Sequence, residues 1–115
     1  MARLTNANGP AKLSWYENGN QKMLAYFVGN ELHRVGGPAK IEWHENGTMA
    51  LELYSEHDAN HRHGGPAYTE WFEDGTKKLE TYFVGGDIHR DDVEQPAIVR
   101  FYMNGRVKTK EYYRT

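Results

Sequence analysis

The sequence predicts an all-β fold: a single curved antiparallel β-meander of about eight strands, built from four hairpin repeats of about 28 residues. Three observations predict it. Pro10, Pro38, Pro66 and Pro96 each precede Ala and lie 28, 28 and 30 residues apart. Each is followed by an aromatic residue (Trp15, Trp43, Trp71, Phe101), then by a Gly reached through Asn or Asp (Gly19, Gly47, Gly75, Gly105). Between these markers apolar and polar residues alternate, the period of a half-buried strand. A fixed period of this length marks an array of units that are each too small to bury their own apolar face. The units run over about 3–30, 31–58, 59–86 and 87–115 within one domain spanning 1–115.

In the first unit, Ala11-Lys12-Leu13-Ser14-Trp15-Tyr16 alternates as a strand, Glu17-Asn18-Gly19 is a turn, and Met23 to Val28 is a second strand. Gly29-Asn30 is a further turn signal, and Glu31 to Arg34 leads through Gly36-Gly37-Pro38 into the next unit. A two-residue Asn-Gly loop would set Trp15 opposite Lys22. A type I turn followed by a left-handed Gly sets Tyr16 opposite Asn20 and Trp15 opposite Gln21. The second register gathers Ala11, Leu13, Trp15, Met23, Ala25 and Phe27 on one face. In the second unit it gathers Ala39, Ile41, Trp43, Met49, Leu51 and Leu53. A one-residue slip would reverse every side chain, so the hydrophobic pattern selects the three-residue loop.

The expected core is Leu13, Trp15, Ile41, Trp43, Trp71, Val99 and Phe101. The opposite face carries Tyr16, His44, Phe72 and Tyr102 in one series and Tyr26, Tyr54, Tyr82 and Tyr112 in another. Set among charges, these aromatics read either as a binding surface or as cross-strand support for a sheet without a covering helix. Pro cannot donate to a β-ladder, so the Gly-Pro pairs are expected to bend alternate strands at one height, giving a trough lined by the Trp series.

The composition limits the function. The chain has 38% apolar and 13% aromatic residues, so burial rests on Trp, Tyr and Phe. Fourteen basic and 16 acidic residues give a net charge of −2, which favours neither nucleic acid nor an anionic membrane. There is no Cys, hence no disulfide and no thiolate metal site. No apolar run reaches transmembrane length and the first residues lack a signal-like stretch, so a cytoplasmic location is expected.

The pattern Tyr-Phe-x-Gly-x-x-Leu/Ile-His-Arg, then Gly-Pro-Ala, then Trp-x-Glu-Asn-Gly, resembles the MORN-type repeat in its longer variant. Tyr26, Gly29, His33, Gly37 and Gly47 carry the likeness in the first linkage, and Tyr82, Gly85, His89 and Gly105 in the third. The second linkage keeps Tyr54, His61 and Gly65 but has Ser55-Glu56-His57-Asp58 in place of Phe-Val-Gly-Asn. The last has two extra residues within 91–95, and Gln95 replaces the Gly before Pro. The resemblance covers essentially the whole chain, Arg3-Leu4-Thr5-Asn6 aligning with Glu31 to Arg34. It implies an interaction or scaffolding module of the kind found in bacterial antitoxin-like proteins and in large DNA viruses and phages.

Sharper chemistry finds little support. His33, His61 and His89 stand two strands apart, about 9.6 Å at about 4.8 Å per strand, too far to share a metal. Each is expected to hydrogen-bond across a turn or to stack beside the Arg that follows it. The cluster His57, Asp58, His61 and His63 is a weak metal candidate because its spacing matches no strong motif. Glu17, Glu45 and Glu73 sit in solvated turns with no pocket implied. No catalytic residue and no cofactor is expected. The expected function is non-catalytic: a scaffold that binds a protein partner, a toxin in the antitoxin-like case, or a structural protein that self-associates as a closed homodimer through its apolar face. The four basic residues of the final strand, Arg106, Lys108, Lys110 and Arg114, are expected to guard its edge against open-ended pairing.

Overall fold

The computed structural model describes residues 12–113. Pro10, Ala11, Arg3 to Asn6 and Arg114 lie outside the described residues. Within them the chain is all-β, with no helix. The strands are β1 (Lys12–Trp15), β2 (Gln21–Ala25), β3 (Phe27–Val28), β4 (Glu31–Leu32), β5 (Lys40–Trp43), β6 (Met49–Leu53) and β7 (Ser55–Glu56). They continue with β8 (Ala59–Asn60), β9 (Tyr68–Trp71), β10 (Lys77–Thr81), β11 (Phe83–Val84), β12 (Asp87–Ile88), β13 (Ile98–Phe101) and β14 (Val107–Glu111). Eight of them form one open antiparallel sheet, in the order β1-β2-β5-β6-β9-β10-β13-β14. The other six form three two-stranded hairpins, β3-β4, β7-β8 and β11-β12, inserted where one main-sheet hairpin passes to the next.

The turn chemistry fixes the main hairpins. Gly19, Gly47, Gly75 and Gly105 adopt φ of 92°, 94°, 91° and 89°. This is the left-handed conformation that closes a three-residue loop, and Gly adopts it without a Cβ penalty. The amide of Tyr16 donates to the Asn20 carbonyl, and Trp15 pairs with Gln21. The preceding Asn or Asp tightens each loop, its side-chain oxygen accepting the N–H two residues on (Asn18 from Asn20, Asn46 from Thr48, Asp74 from Thr76, Asn104 from Arg106).

One residue beyond each turn the register slips. Ser14 pairs with Met23, Glu42 with Leu51, Glu70 with Leu79 and Arg100 with Thr109. Lys22, Ala50, Lys78 and Lys108 are the unmatched residues of four β-bulges, so the second strand of each hairpin is reversed relative to a regular ladder. The expected face is therefore corrected. One row across the sheet runs Leu13, Leu24, Ile41, Glu52, Thr69, Glu80, Val99 and Lys110, on the side shared by the Trp residues. Met23, Ala25, Leu51 and Leu53 belong to the other side, beside Ser14, Lys12, Glu42 and Lys40. Both sides are mixed.

The core is corrected as well. Leu13 and Trp15 are 44% and 57% exposed, and Ile41, Trp43, Trp71 and Phe101 are only partly covered. Of the expected core residues, Val99 is buried. The densest packing follows the prolines instead: Ala39, Ala67 and Ala97 are 0% exposed, with Ala25, Ile98, Ser55, Thr69 and Thr81 also buried. Each of these three alanines bonds in both directions. Ala39, for example, accepts from Tyr26 N–H and donates to the Leu53 carbonyl. The prolines thus stand just ahead of β5, β9 and β13 and do not bend a strand from within. There the missing N–H costs no ladder bond. The molecule measures 48 × 34 × 16 Å.

Candidate interaction surface

The inserted hairpins carry the tyrosine, histidine and arginine of each linkage. Arg34, Arg62 and Arg90 lie with their guanidinium carbons 4.0, 4.0 and 4.1 Å above the ring centres of Tyr26, Tyr54 and Tyr82. The same guanidinium groups donate to the carbonyls of Pro38, Pro66 and Pro96. A planar guanidinium suits both tasks, one face against the ring and one edge toward the carbonyl. Gly37 and Gly65 give it room, since a Cβ there would stand 3.1 and 2.8 Å from the guanidinium carbon. Three members of the tyrosine series are thus seated under cations. Tyr112 lies at the exposed end of the series.

Neighbouring inserted hairpins interlock through backbone and histidine. His33 Nδ1 accepts the His57 N–H at 3.0 Å, and His61 Nδ1 accepts the Gly85 N–H at 2.9 Å. The Leu32 carbonyl accepts the Asp58 N–H, and the Asn60 carbonyl accepts the Gly86 N–H. The Arg34 and Arg62 amides donate to the Ser55 and Phe83 carbonyls. In the degenerate second linkage His57 and Asp58 take φ of 50° and 65°, where Gly85 and Gly86 stand in the third. Contacts offset that conformational cost: Asp58 Oδ1 accepts the Leu32 N–H at 2.6 Å, and His57 Nδ1 lies 3.0 Å from Glu31. The weak metal candidates are dispersed, with His57 on Glu31, Asp58 on Leu32, His61 on Gly85 and His63 on Asp91. Among the described residues no three metal-ligating side chains converge.

A second set of bonds joins the main hairpins at their turns. Tyr16 Oη donates to the Trp43 carbonyl at 2.8 Å, and His44 Nε2 lies 2.9 Å from the Trp71 carbonyl. The Asn18 and Asn46 amides donate to the Glu45 and Glu73 carbonyls. Lys22, Lys78 and Lys108 lie 5.5, 5.7 and 5.6 Å from the ring centres of Tyr16, Phe72 and Tyr102. Among the described residues no such Tyr, His or Asn bond joins the third unit to the fourth, where Phe72 and Asp74 have no side-chain hydrogen to donate. By the repeat register, Asp74→Asn and Phe72→Tyr should supply donors to the Met103 and Phe101 carbonyls respectively. Each should stabilise the chain by about 0.5–1.5 kcal/mol. Thermal melts of the single and double variants check this.

Two electrostatic environments stand out. Burial, then the hydrogen bond to Glu70, holds the Tyr68 phenol far above the usual tyrosine range. The hydrogen bond from His63, 2.8 Å away, holds the Asp91 carboxyl below its ordinary value, with His89 3.3 Å away adding to it. A carboxyl whose folded pKa is lowered contributes stability that is complete above the unfolded value, near 3.8. That contribution fades as the pH drops through the folded value. Asp91→Asn should therefore flatten the loss of stability below about pH 4, seen by comparing urea denaturation at neutral and acid pH.

No protein-family model matches the chain, and no curated protein or solved structure matches it. The surface must be read from its own chemistry. Glu17, Glu45 and Glu73 are exposed at turn tips, and the hollows are shallow and open. One of about 320 Å³ lies between Arg34 and Arg62, and one of about 230 Å³ between Arg62 and Arg90. On the Trp side, exposed Leu13 and Trp15 share a face with partly exposed Ile41, Trp43, Trp71 and Phe101. Sequence reasoning missed the Arg–Tyr–Pro clasp, although Arg34 to Pro38 and Arg62 to Pro66 share a four-residue spacing that signals it.

Proposed function

We propose that this chain is a non-catalytic interaction or scaffold module whose exposed Trp face binds a protein partner. The observation that supports the reading is Trp15, 57% exposed beside an exposed Leu13 at the end of the eight-stranded sheet. Bulky apolar side chains left exposed on one face, here among charged neighbours, mark interfaces in soluble proteins. Aromatic side chains are also the usual anchors of protein–protein binding energy. The repeat pattern reads as the longer MORN variant. Its antitoxin-like members make a toxin one candidate partner, and a cytoplasmic location fits the absence of a long apolar run in the sequence.

The same exposed face favours a second reading, a closed homodimer in which two Trp faces cover each other. Light scattering over a concentration series separates the two. A strict monomer at every concentration removes the dimer. Affinity capture from the native host then tests the binder: a partner retained by the wild type and lost with Trp15→Arg supports it. Equal capture by both proteins contradicts it.

A further inference from the structure

The arginines of the inserted hairpins carry charge that the chain leaves without a counter-ion. On the main sheet, Lys40, Lys77 and Arg100 pair with Glu42, Glu80 and Glu111. Among the described residues Arg34, Arg62 and Arg90 pair with no carboxylate, although all three are only partly exposed and Arg100 is exposed. A partly buried cation without a counter-charge is unfavourable, and the tyrosine ring and proline carbonyl offset that only in part. A guanidinium has five N–H donors. The proline carbonyl takes one of them in each clasp, and no other acceptor for these side chains is found among the described residues.

The same guanidinium groups line the two hollows. Arg34 and Arg62 line the larger one, with Gly36, Gly37, Glu56 and His63. Arg62 and Arg90 line the smaller one, with Gly64, Gly65, Asp91 and Asp92. The two are one site repeated, since Arg34, Gly36 and Gly37 recur 28 residues on as Arg62, Gly64 and Gly65. They part in charge. With His neutral, two guanidinium groups against one carboxylate leave the larger hollow at +1. Two guanidinium groups against two carboxylates leave the smaller hollow at zero. Asp91 stands where the larger hollow has His63, so the chain itself supplies there the negative charge that the larger hollow lacks. The larger hollow has further donors to offer, because the N–H groups of Gly36 and Gly37 have no partner among the described residues.

We infer that the hollow between Arg34 and Arg62 binds one acidic side chain, Glu or Asp, of a partner protein. A guanidinium fork matches a planar carboxylate, and the charge-assisted bonds between them are the strong ones. One negative charge neutralises the hollow, whereas Glu56 opposes the second charge of a phosphate group. The neutral hollow next to it and the net charge of −2 disfavour a polyanion, so the occupant is a single carboxylate on a larger surface. The inference rests on reading the chain as an interaction module, and it gives the partner an acidic anchor in addition to its contact with the Trp face.

The test uses the whole chain and two blocked tripeptides, acetyl-Gly-Glu-Gly-amide and acetyl-Gly-Gln-Gly-amide, at fixed ionic strength. Nitrogen NMR of the arginine side chains should show saturable shifts at Arg34 and Arg62 with the glutamate peptide, and Arg90 should stay unmoved. The glutamine peptide should bind about tenfold more weakly, because it forms no charge-assisted bond. Glu56→Gln removes the opposing charge and should tighten the glutamate peptide about threefold. The double variant Asp91→Asn, Asp92→Asn gives the smaller hollow a positive charge, and Arg90 should then shift as well. Equal binding of the two peptides, or a wild-type shift at Arg90 as large as those at Arg34 and Arg62, overturns the inference. So does tighter binding of inorganic phosphate than of the glutamate peptide, which would assign the hollow to a phosphate group. Silent Arg34 and Arg62 with capture still dependent on Trp15 would remove this site alone. Clear shifts with capture indifferent to Trp15 would remove the Trp-face reading alone, so the two failures are distinguishable.

Discussion

Ala67→Leu should cost the fold about 3 kcal/mol, the upper part of the range for overpacking a closed site. Ala67 is 0% exposed, donates to the Thr81 carbonyl and accepts from Tyr54 N–H, so its backbone cannot withdraw without breaking two ladder bonds. Three added carbons must displace neighbours at the centre of the eight strands. Domains of this size have only about 5–15 kcal/mol in hand, so the loss is a large fraction of the total. Urea denaturation gives the value directly, and Ala39→Leu should behave alike because Ala39 occupies the same place one unit earlier.

Arg62→Ala should cost about 2–3 kcal/mol. It removes a partly buried cation stacked 4.0 Å from Tyr54 and a charged hydrogen bond to the Pro66 carbonyl at 3.1 Å. It also uncovers Gly65, which is buried. Arg62→Lys should recover little, because an ammonium cannot lie flat on the ring while one edge reaches the carbonyl. A lysine variant as stable as the wild type would show that charge alone matters at this position. Equilibrium denaturation of the two variants side by side decides it.

The sequence carried much of this architecture in its turns. Asn-Gly and Asp-Gly at constant distance from an aromatic residue were enough to place eight strands and a three-residue loop, because only a left-handed glycine closes that loop. The faces were not legible. A bulge at Lys22, Ala50, Lys78 or Lys108 is decided by the twist of a paired ladder, and a polar Lys and a small Ala serve the same role in different units. The inserted hairpins were missed because strands of two residues show no period. Gly29-Asn30 and Gly85-Gly86 marked their turns, but His57-Asp58 disguised the middle one.

Legibility was lower between units. Histidine bonding was not readable: a bond across a turn or a stack beside the following Arg was expected, whereas His33 and His61 accept amides of the next inserted hairpin, 24 residues on. The burial of alanine in preference to tryptophan was not readable, because it follows from strand starts bonded on both sides to neighbouring strands. The two extra residues before Pro96 leave the clasp intact: Arg90 still reaches the Pro96 carbonyl at 3.0 Å, while the extra length turns outward on an Asp92 loop.

The central claim is that stability resides in the alanine layer and the arginine clasps, while the tryptophan row is free for a partner. Urea denaturation of Trp15→Ala tests it most directly. The expected loss is below about 1 kcal/mol, as for a side chain that stays largely in water. A loss of about 3–5 kcal/mol, the value for deleting a core aromatic, would contradict the claim and return Trp15 to the core.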